Sequence, residues 1–252
     1  MVLSQLGAGV KNAIITLLGC LTGALIYGIV EPAVMKLTKP RRPYKAFMLN
    51  QVTPTPFFVL ALPIASVLAI VIFVVEHFVP WRTDLTVPNE PNATWISVRA
   101  WSPILTGVIV GCLQIPLVLA VKDTMGGSSS YCTVVSQILV TKPLRSLSPY
   151  LSKYRTGLAN WWQVLYVSGA VFGAWMSANC SDTLGTVDGV STATSFIGGV
   201  VMVFGSRLAA GCTSGHGLSG VGTLSLLSFV TVPAIFAGGM AAAFMLRTLA
   251  VI

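Results

Sequence analysis

Residues 207–220 read RLAAGCTSGHGLSG, with uncharged apolar segments on both sides. The stretch combines an arginine, a cysteine, a histidine and three hydroxyl side chains with four glycines. Polar side chains and irregular backbone are costly at the depth of a bilayer unless they line a cavity or pack inside protein. The stretch therefore indicates a functional element, whereas most of the chain only has to be apolar.

The composition of the chain is that of an integral membrane protein. Of its 252 residues, 54% are hydrophobic and 9% are charged, whereas a soluble domain carries about 25% charged residues. The net charge of +8 comes from basic residues that lie between apolar segments, as the positive-inside rule predicts. A nucleic-acid-binding protein would instead show a basic stripe with interleaved aromatics on a soluble fold. No nucleic-acid partner is therefore expected.

Six uncharged apolar runs are long enough to cross a bilayer as helices. They comprise residues 12–30, 57–75, 101–121, 161–178, 189–206 and 217–246. A further uncharged stretch, residues 124–141, contains Gly126 and Gly127 before a short apolar piece that does not span easily. We interpret it as a re-entrant helix. The expected fold class is an all-α integral membrane protein with about six transmembrane helices plus short re-entrant helices.

The loops predict the orientation of the chain. The loop after the first run and the stretch after the re-entrant piece are rich in basic residues, namely Lys36, Lys39, Arg41, Arg42, Lys45, Lys142, Arg145, Lys153 and Arg155. The loops 80–100 and 179–188 contain two arginines and four acidic residues. The positive-inside rule places the basic loops in the cytoplasm and both chain termini outside. We expect a multi-pass protein of the plasma membrane.

The two ends of the chain resemble each other. Residues 6–10 (LGAGV) match residues 219–223 (SGVGT) at an offset of 213 residues, which pairs Gly7 with Gly220 and Gly9 with Gly222. A long apolar run follows each of the two stretches. The predicted orientation sends the first run inward and the last run outward, as in the inverted repeats of many transporters.

This repeat predicts the organisation of the chain. We expect one transmembrane transport domain, residues 1–252, in which residues 1–79 are a remnant of a first repeat and residues 101–252 form the second. At the same offset the counterpart of Cys212 would precede Met1. The first repeat is therefore expected to lack its cysteine loop.

Enzymatic interpretations of residues 207–220 fit the spacing poorly. A phosphate-binding loop needs a lysine after its glycines, and the stretch contains none. A nucleophile elbow needs G-x-S-x-G after a strand, not a glycine-rich link between apolar helices. Cys212 and His216 have the residue types of a nucleophilic pair, but the glycine between them disfavours the regular helix that would align them. The five cysteines include no CxxC, so neither a metal site nor a cofactor is expected.

An anion site uses the same residues better. A broken helix exposes backbone N–H groups that stabilise an anion, hydroxyl and imidazole groups replace water, and a thiol adds a weak donor and a polarisable sulphur. The expected path residues are Arg207, Cys212, Thr213, Ser214 and His216, and the expected helix-breaking glycines are Gly211, Gly215 and Gly217.

Residues 126–133 repeat this composition with Gly126 and Gly127 as further expected helix-breaking glycines, three serines, and Cys132 as a further expected path residue. Two broken elements with a cysteine each predict a site between them near the membrane midplane. The alternative is that the small residues only let helices approach closely. That alternative is stronger for Cys132 than for residues 207–220, because an arginine–cysteine–histidine cluster is costly in a membrane without a function.

With these residues the chain resembles the YeeE/YedE family of sulphur-compound transporters. The carrying motif is GCTSGHGL at residues 211–218 after Arg207, and residues 5–10 (QLGAGV) are similar to the end of the family's first half. The resemblance implies an all-helical inverted-repeat membrane protein that passes thiosulfate or a related sulphur anion along a cysteine-lined path. By position, Cys212 matches the motif cysteine, and Cys132 matches the cysteine of the short helix before the second-half spans.

The leading hypothesis is therefore a transporter, not an enzyme, for a sulphur-containing anion in a lipid bilayer. The alternative is a truncated, non-transporting membrane subunit that depends on a partner subunit, or a thiol-redox membrane protein. The redox version requires a pairable thiol, and Cys180 in an outer loop has no evident partner in the sequence.

Overall fold

The computed structural model describes residues 2–38, 48–84, 89, 92, 94, 95, 97–121, 126–139, 148–157 and 160–248. The α-helices in these ranges are α1 (Val2–Gly7), α2 (Ala13–Thr38), α3 (Leu49–Val52), α4 (Phe57–Phe78), α5 (Pro103–Val121), α6 (Ser128–Leu139), α7 (Pro149–Ser152), α8 (Trp161–Cys180), α9 (Thr192–Leu208) and α10 (Leu226–Thr248). A 3-10 turn (Trp81–Asp84) and a π-helix (Ser214–Gly220) complete them, and these ranges contain no strand. The orienting basic residues 39, 41, 42, 45, 142 and 145 lie outside the described residues.

Each of the six apolar runs forms a helix. Four of them, α2, α4, α5 and α10, are long and apolar enough to cross a membrane. Helix α8 has 20 residues but a less apolar composition, and α9 is an apolar helix of 17 residues. The predicted all-α membrane class is confirmed. Helix α6 has 12 residues, or about 18 Å at 1.5 Å per residue, so it is short as predicted. Its re-entrant course stays a prediction.

Helices α2 and α9 form the central pair of the molecule, and glycines make their close contact possible. A Cβ atom at Gly19 or Gly23 of α2 would collide with a backbone oxygen of α9. A Cβ atom at Gly199 of α9 would collide with the backbone oxygen of Thr16. This seam of small residues lets the two backbones touch, which is how helices associate in a membrane.

A small buried core surrounds this pair. It consists of Cys20, Ala24, Tyr131, Cys132, Val135, Leu151 and Val203, which come from α2, α6, α7 and α9. By contrast, no residue in the most apolar stretch of α4, α5 or α10 is buried. Large exposed apolar surfaces of this kind need an apolar surrounding, so these helices provide the outer, non-core part of the fold.

The two ends of the chain share their element boundaries. Helix α1 and the π-helix end at Gly7 and Gly220, and α2 and α10 begin at Ala13 and Leu226. Both pairs differ by 213 positions, which is the offset of the predicted repeat. The local folding of the two ends therefore agrees with that alignment, while the division into two inverted repeats stays a prediction.

Candidate functional site

A polar cavity of about 230 Å³ lies where α6 and α8 begin, α9 ends and the π-helix starts. Its walls are formed by Gly126, Ser128, Ser129, Gln163, Arg207, Ala210, Gly211, Cys212, Gly215 and His216. Since a water molecule takes up about 30 Å³ of liquid, the cavity has room for a small polyatomic anion. A larger apolar groove lies along α4 alone, and its one-helix lining is typical of an exposed membrane-facing surface.

Arg207, in the last turn of α9, uses every N–H of its guanidinium group. Its Nη1 donates to the hydroxyls of Ser128 and Ser129 at 3.2 and 3.1 Å. Its Nε donates to the Tyr150 hydroxyl at 2.8 Å. Its Nη2 donates to the same tyrosine and, at 2.8 Å, to Tyr154. The guanidinium carbon also lies 5.7 Å from the centre of each tyrosine ring, a cation–π distance. The side chain is held rigidly at the cavity wall.

The charge of Arg207 has no acidic partner among the described residues. The ion pair found in that part of the chain joins Lys11 to Asp188, at the surface. A poorly solvated charge without a counter-charge is costly, and hydroxyl groups solvate a cation without neutralising it. The cavity therefore keeps a positive charge that an anion can balance.

Cys212 joins the two glycine-rich stretches. Its Sγ lies 2.8 Å from Ser214 Oγ, and backbone N–H groups of Gly215, Gly127 and Ser214 are hydrogen-bonded to it. Cys212 lies in the connection between α9 and the π-helix, outside the membrane-spanning helices. Burial raises the pKa of its thiol, but these hydrogen bonds lower the pKa further, to below that of an ordinary cysteine. The surroundings therefore stabilise negative charge on sulphur.

His216 reaches the cavity because Gly211 leaves room for its ring. Its Nδ1 lies 3.1 Å from Ser228 Oγ on α10, and a Cβ atom added to Gly211 would stand 2.5 Å from its Nε2. That Nε2 atom is buried and has no hydrogen-bond partner. Leaving a buried polar atom unpaired costs about 1–3 kcal/mol, so Nε2 is suited to contact a ligand.

A partly buried arginine, a hydrogen-bonded cysteine and two glycine-rich stretches thus meet in one cavity. A model of the family described as "Sulphur transport" matches residues 1–241. The chain belongs to the sulphur transport family. The resemblance proposed from the GCTSGHGL motif is thereby confirmed, and the family together with the apolar helices confirms a multi-pass integral membrane protein.

Relatives within the sulphur transport family are distant. The chain is 29% identical over 126 residues to a protein of Escherichia coli named "Thiosulfate transporter TsuA". This alignment covers 48% of the present chain and 32% of that protein. The aligned part thus spans about a third of the length of the Escherichia coli protein. A protein of Xylella fastidiosa named "Probable transporter" is 28% identical over 144 residues, 57% of this chain and 92% of that protein. No solved structure shows a significant match.

The cavity contains most of the site residues predicted for this sulphur transport family member, but not all. Arg207, Cys212, His216 and the glycines 126, 211 and 215 line it. Ser214 and Gly127 do not line it, but both are hydrogen-bonded to Cys212, which does. Thr213 and Gly217 are not part of its wall. The glycines 215 and 217 belong to a π-helix instead of an open break, a rare element that occurs at functional sites.

Cys132 lies in the core and not at the cavity. Its side chain is completely buried in α6, and its thiol is hydrogen-bonded to Tyr150, the tyrosine that binds Arg207. The structure therefore places Cys132 behind the arginine. Its position on a substrate path stays a prediction.

Sequence reasoning missed Gln163 and the tyrosine pair. Gln163 lies near the start of α8, and its buried Oε1 faces no hydrogen-bond partner. A strongly polar amide inside an otherwise apolar run is a signal that could have identified it. Tyr150 and Tyr154 lie in and just after the four-residue helix α7, and no sequence pattern marks them as partners of an arginine. No group of three or more metal-ligating side chains occurs in the described part of the chain.

Proposed function

We propose that the chain transports a sulphur-containing anion such as thiosulfate across the plasma membrane, with the Arg207 cavity as a binding station. The observation that carries this proposal is a cation without an acidic partner among the described residues, beside the Cys212 thiol in one cavity. The family and the Escherichia coli relative named as a thiosulfate transporter support the substrate class. Because the family is one of transport proteins, we infer movement of an anion and not its chemical conversion.

Arg207 supplies the charge that attracts the anion. Its own N–H groups are already directed at hydroxyls, so it acts mainly through charge and through the groups that it orients. A hydroxyl that accepts a hydrogen bond from the guanidinium keeps its own O–H as a donor. Ser128 and Ser129 line the cavity, and we infer that their hydroxyls pass the hydrogen-bonding capacity of the arginine on to the anion.

Cys212 supplies the contact to sulphur. The backbone N–H groups around its Sγ stabilise negative charge on a sulphur atom, and a thiol is a weak donor with a polarisable sulphur. The terminal sulphur of thiosulfate is soft and negatively charged, so the same surroundings suit it. We place Cys132 further along the path, because its thiol contacts the tyrosine that holds Arg207. A cysteine-lined path would then run from the cavity into the core.

Replacing Cys212 tests the sulphur contact. We expect Cys212→Ala to lower uptake of radiolabelled thiosulfate into sulphur-starved cells by about tenfold, because a hydrogen bond to a charged group is lost. Cys112→Ala is the control, because Cys112 is exposed on α5 and does not line the cavity. Equal uptake by Cys212→Ala and the unmodified chain at equal amounts of protein would remove Cys212 from the path.

Replacing Gly211 tests the position of His216. In Gly211→Ala the new Cβ would stand 2.5 Å from His216 Nε2, so the ring must shift from its position at the cavity wall. We expect thiosulfate uptake to fall roughly tenfold, the usual loss for one misplaced polar contact. Gly205→Ala in α9 is the control, because a Cβ atom there meets open space. If the two alanine variants take up thiosulfate equally well, the His216 ring has no role in binding.

A further inference from the structure

Gln163 places an amide group in the same cavity as Arg207. It lies in the first turn of α8, and its Oε1 atom is buried without a hydrogen-bond partner. The face of α8 one turn further on touches the glycine pair, since a Cβ atom at Gly127 would lie 3.7 Å from Val167 Cγ2. Gly127, whose backbone N–H is hydrogen-bonded to Cys212, therefore lies next to α8.

Two residues that line this one cavity each carry a buried polar atom without a partner. Among the described residues, the buried side-chain atoms without a partner are Asn50 Oδ1, Gln163 Oε1 and His216 Nε2. Gln163 and His216 are both among the residues that line the cavity of about 230 Å³. Buried polar groups in native proteins are normally hydrogen-bonded, so two unpaired ones that share a cavity indicate a ligand that supplies both partners.

The arginine cannot supply these partners. All of its N–H groups are directed at the hydroxyls of tyrosines and serines. Direct hydrogen bonds to an anion therefore come from other groups of the lining, and Gln163 and His216 can add theirs to those of the Ser128 and Ser129 hydroxyls. A primary amide offers either an oxygen or an NH₂ group, depending on its rotation about the last side-chain bond. Turned by half a rotation, Gln163 would present two N–H donors to an anion.

We propose that Gln163 and His216 bind the oxygen atoms of the transported anion and that Gln163 selects sulphur oxyanions, such as thiosulfate, over hydrosulfide. This inference rests on the proposed function of the cavity. A site with buried hydrogen-bonding groups rejects an analogue that lacks the matching atoms, because those groups are then left unpaired. Hydrosulfide carries a soft sulphur for Cys212 but no oxygen for Gln163. The cavity therefore favours a ligand with both kinds of atom.

The test compares Gln163→Leu and Gln163→Glu with the unmodified chain. Isothermal titration of sodium thiosulfate and of sodium hydrosulfide into the purified chain gives the two affinities, and cellular uptake gives KM and the maximal rate. We expect Gln163→Leu to weaken thiosulfate binding and raise the uptake KM by about tenfold, the value of one hydrogen bond to a charged group. Its hydrosulfide affinity and maximal rate should not change. Gln163→Glu should weaken thiosulfate binding further, through charge repulsion.

Gln51→Glu is the matched control, because Gln51 is exposed in α3 and receives the same added charge. The inference is supported if both Gln163 variants lose thiosulfate affinity while Gln51→Glu does not. This holds even if no uptake is seen, and in that case only the transport proposal fails. It is overturned, with the transport proposal intact, if the unmodified chain binds and transports thiosulfate and both Gln163 variants match it. If the unmodified chain neither binds nor takes up thiosulfate, both proposals are overturned.

Discussion

Arg207→Leu should abolish thiosulfate uptake, with a loss on the order of 100-fold, which corresponds to about 3 kcal/mol. The leucine removes the cavity's positive charge, which no acidic group among the described residues balances. It also leaves the hydroxyls of two tyrosines and two serines without their donor. Uptake measured over a range of thiosulfate concentrations, at equal amounts of membrane-inserted protein, checks this result.

Arg207→Lys separates charge from geometry. Lysine keeps the positive charge but has no planar fork, so it cannot reach four hydroxyls at once. We expect an intermediate loss of uptake, about tenfold. Arg247→Leu is the control, because Arg247 lies exposed in the last turn of α10. Normal uptake by Arg207→Leu, or an equal loss in Arg247→Leu, would show that the cavity charge does not attract the substrate.

The part of the site that could be predicted from the sequence consists of polar residues in apolar surroundings. Arg207, Cys212 and His216 are conspicuous because such side chains are costly in a membrane. The meeting of the two glycine-rich stretches was also predicted, and in the structure a backbone N–H of Gly127 reaches Cys212. In both cases the sequence alone identifies the element, because polar side chains and irregular backbone are both costly at membrane depth.

The two cysteine stretches look alike in sequence but differ in backbone. Cys212 directly follows Gly211 in the connection after α9, where its sulphur meets exposed backbone N–H groups. Cys132 lies inside the regular helix α6, so its backbone N–H neighbours are used within the helix and its side chain packs into the core. Composition does not reveal this difference, since it depends on where a helix begins.

The tyrosine pair was not predictable because it depends on tertiary packing. Tyr150 and Tyr154 follow a stretch that reads as a basic connecting loop. They become the partners of Arg207 only because α7 packs against α2 and α6 beside the end of α9. The π-helix is likewise absent from the sequence pattern, since glycines disfavour a regular helix but do not specify a wider one.

The close contact between α2 and α9 makes one glycine essential and leaves its neighbour free. We expect Gly199→Ala to lower the free energy of unfolding by at least about 1–3 kcal/mol. The new Cβ atom would collide with the backbone oxygen of Thr16 and would lie 3.0 Å from the backbone nitrogen of Cys20. Backbone atoms of a packed helix cannot rotate away as a flexible side chain can. Thermal unfolding of the purified protein in detergent measures the effect.

Gly198→Ala is the matched control, one position earlier on the same helix. A Cβ atom at Gly198 meets open space, and alanine favours a helix over glycine by about 1 kcal/mol, so this variant should be unchanged or slightly more stable. Because α9 carries Arg207 in its last turn, separation of the seam should also displace the guanidinium and lower thiosulfate uptake. Equal unfolding temperatures for the two alanine variants would contradict a backbone-to-backbone contact, and with it the rigid placement of Arg207 at the cavity.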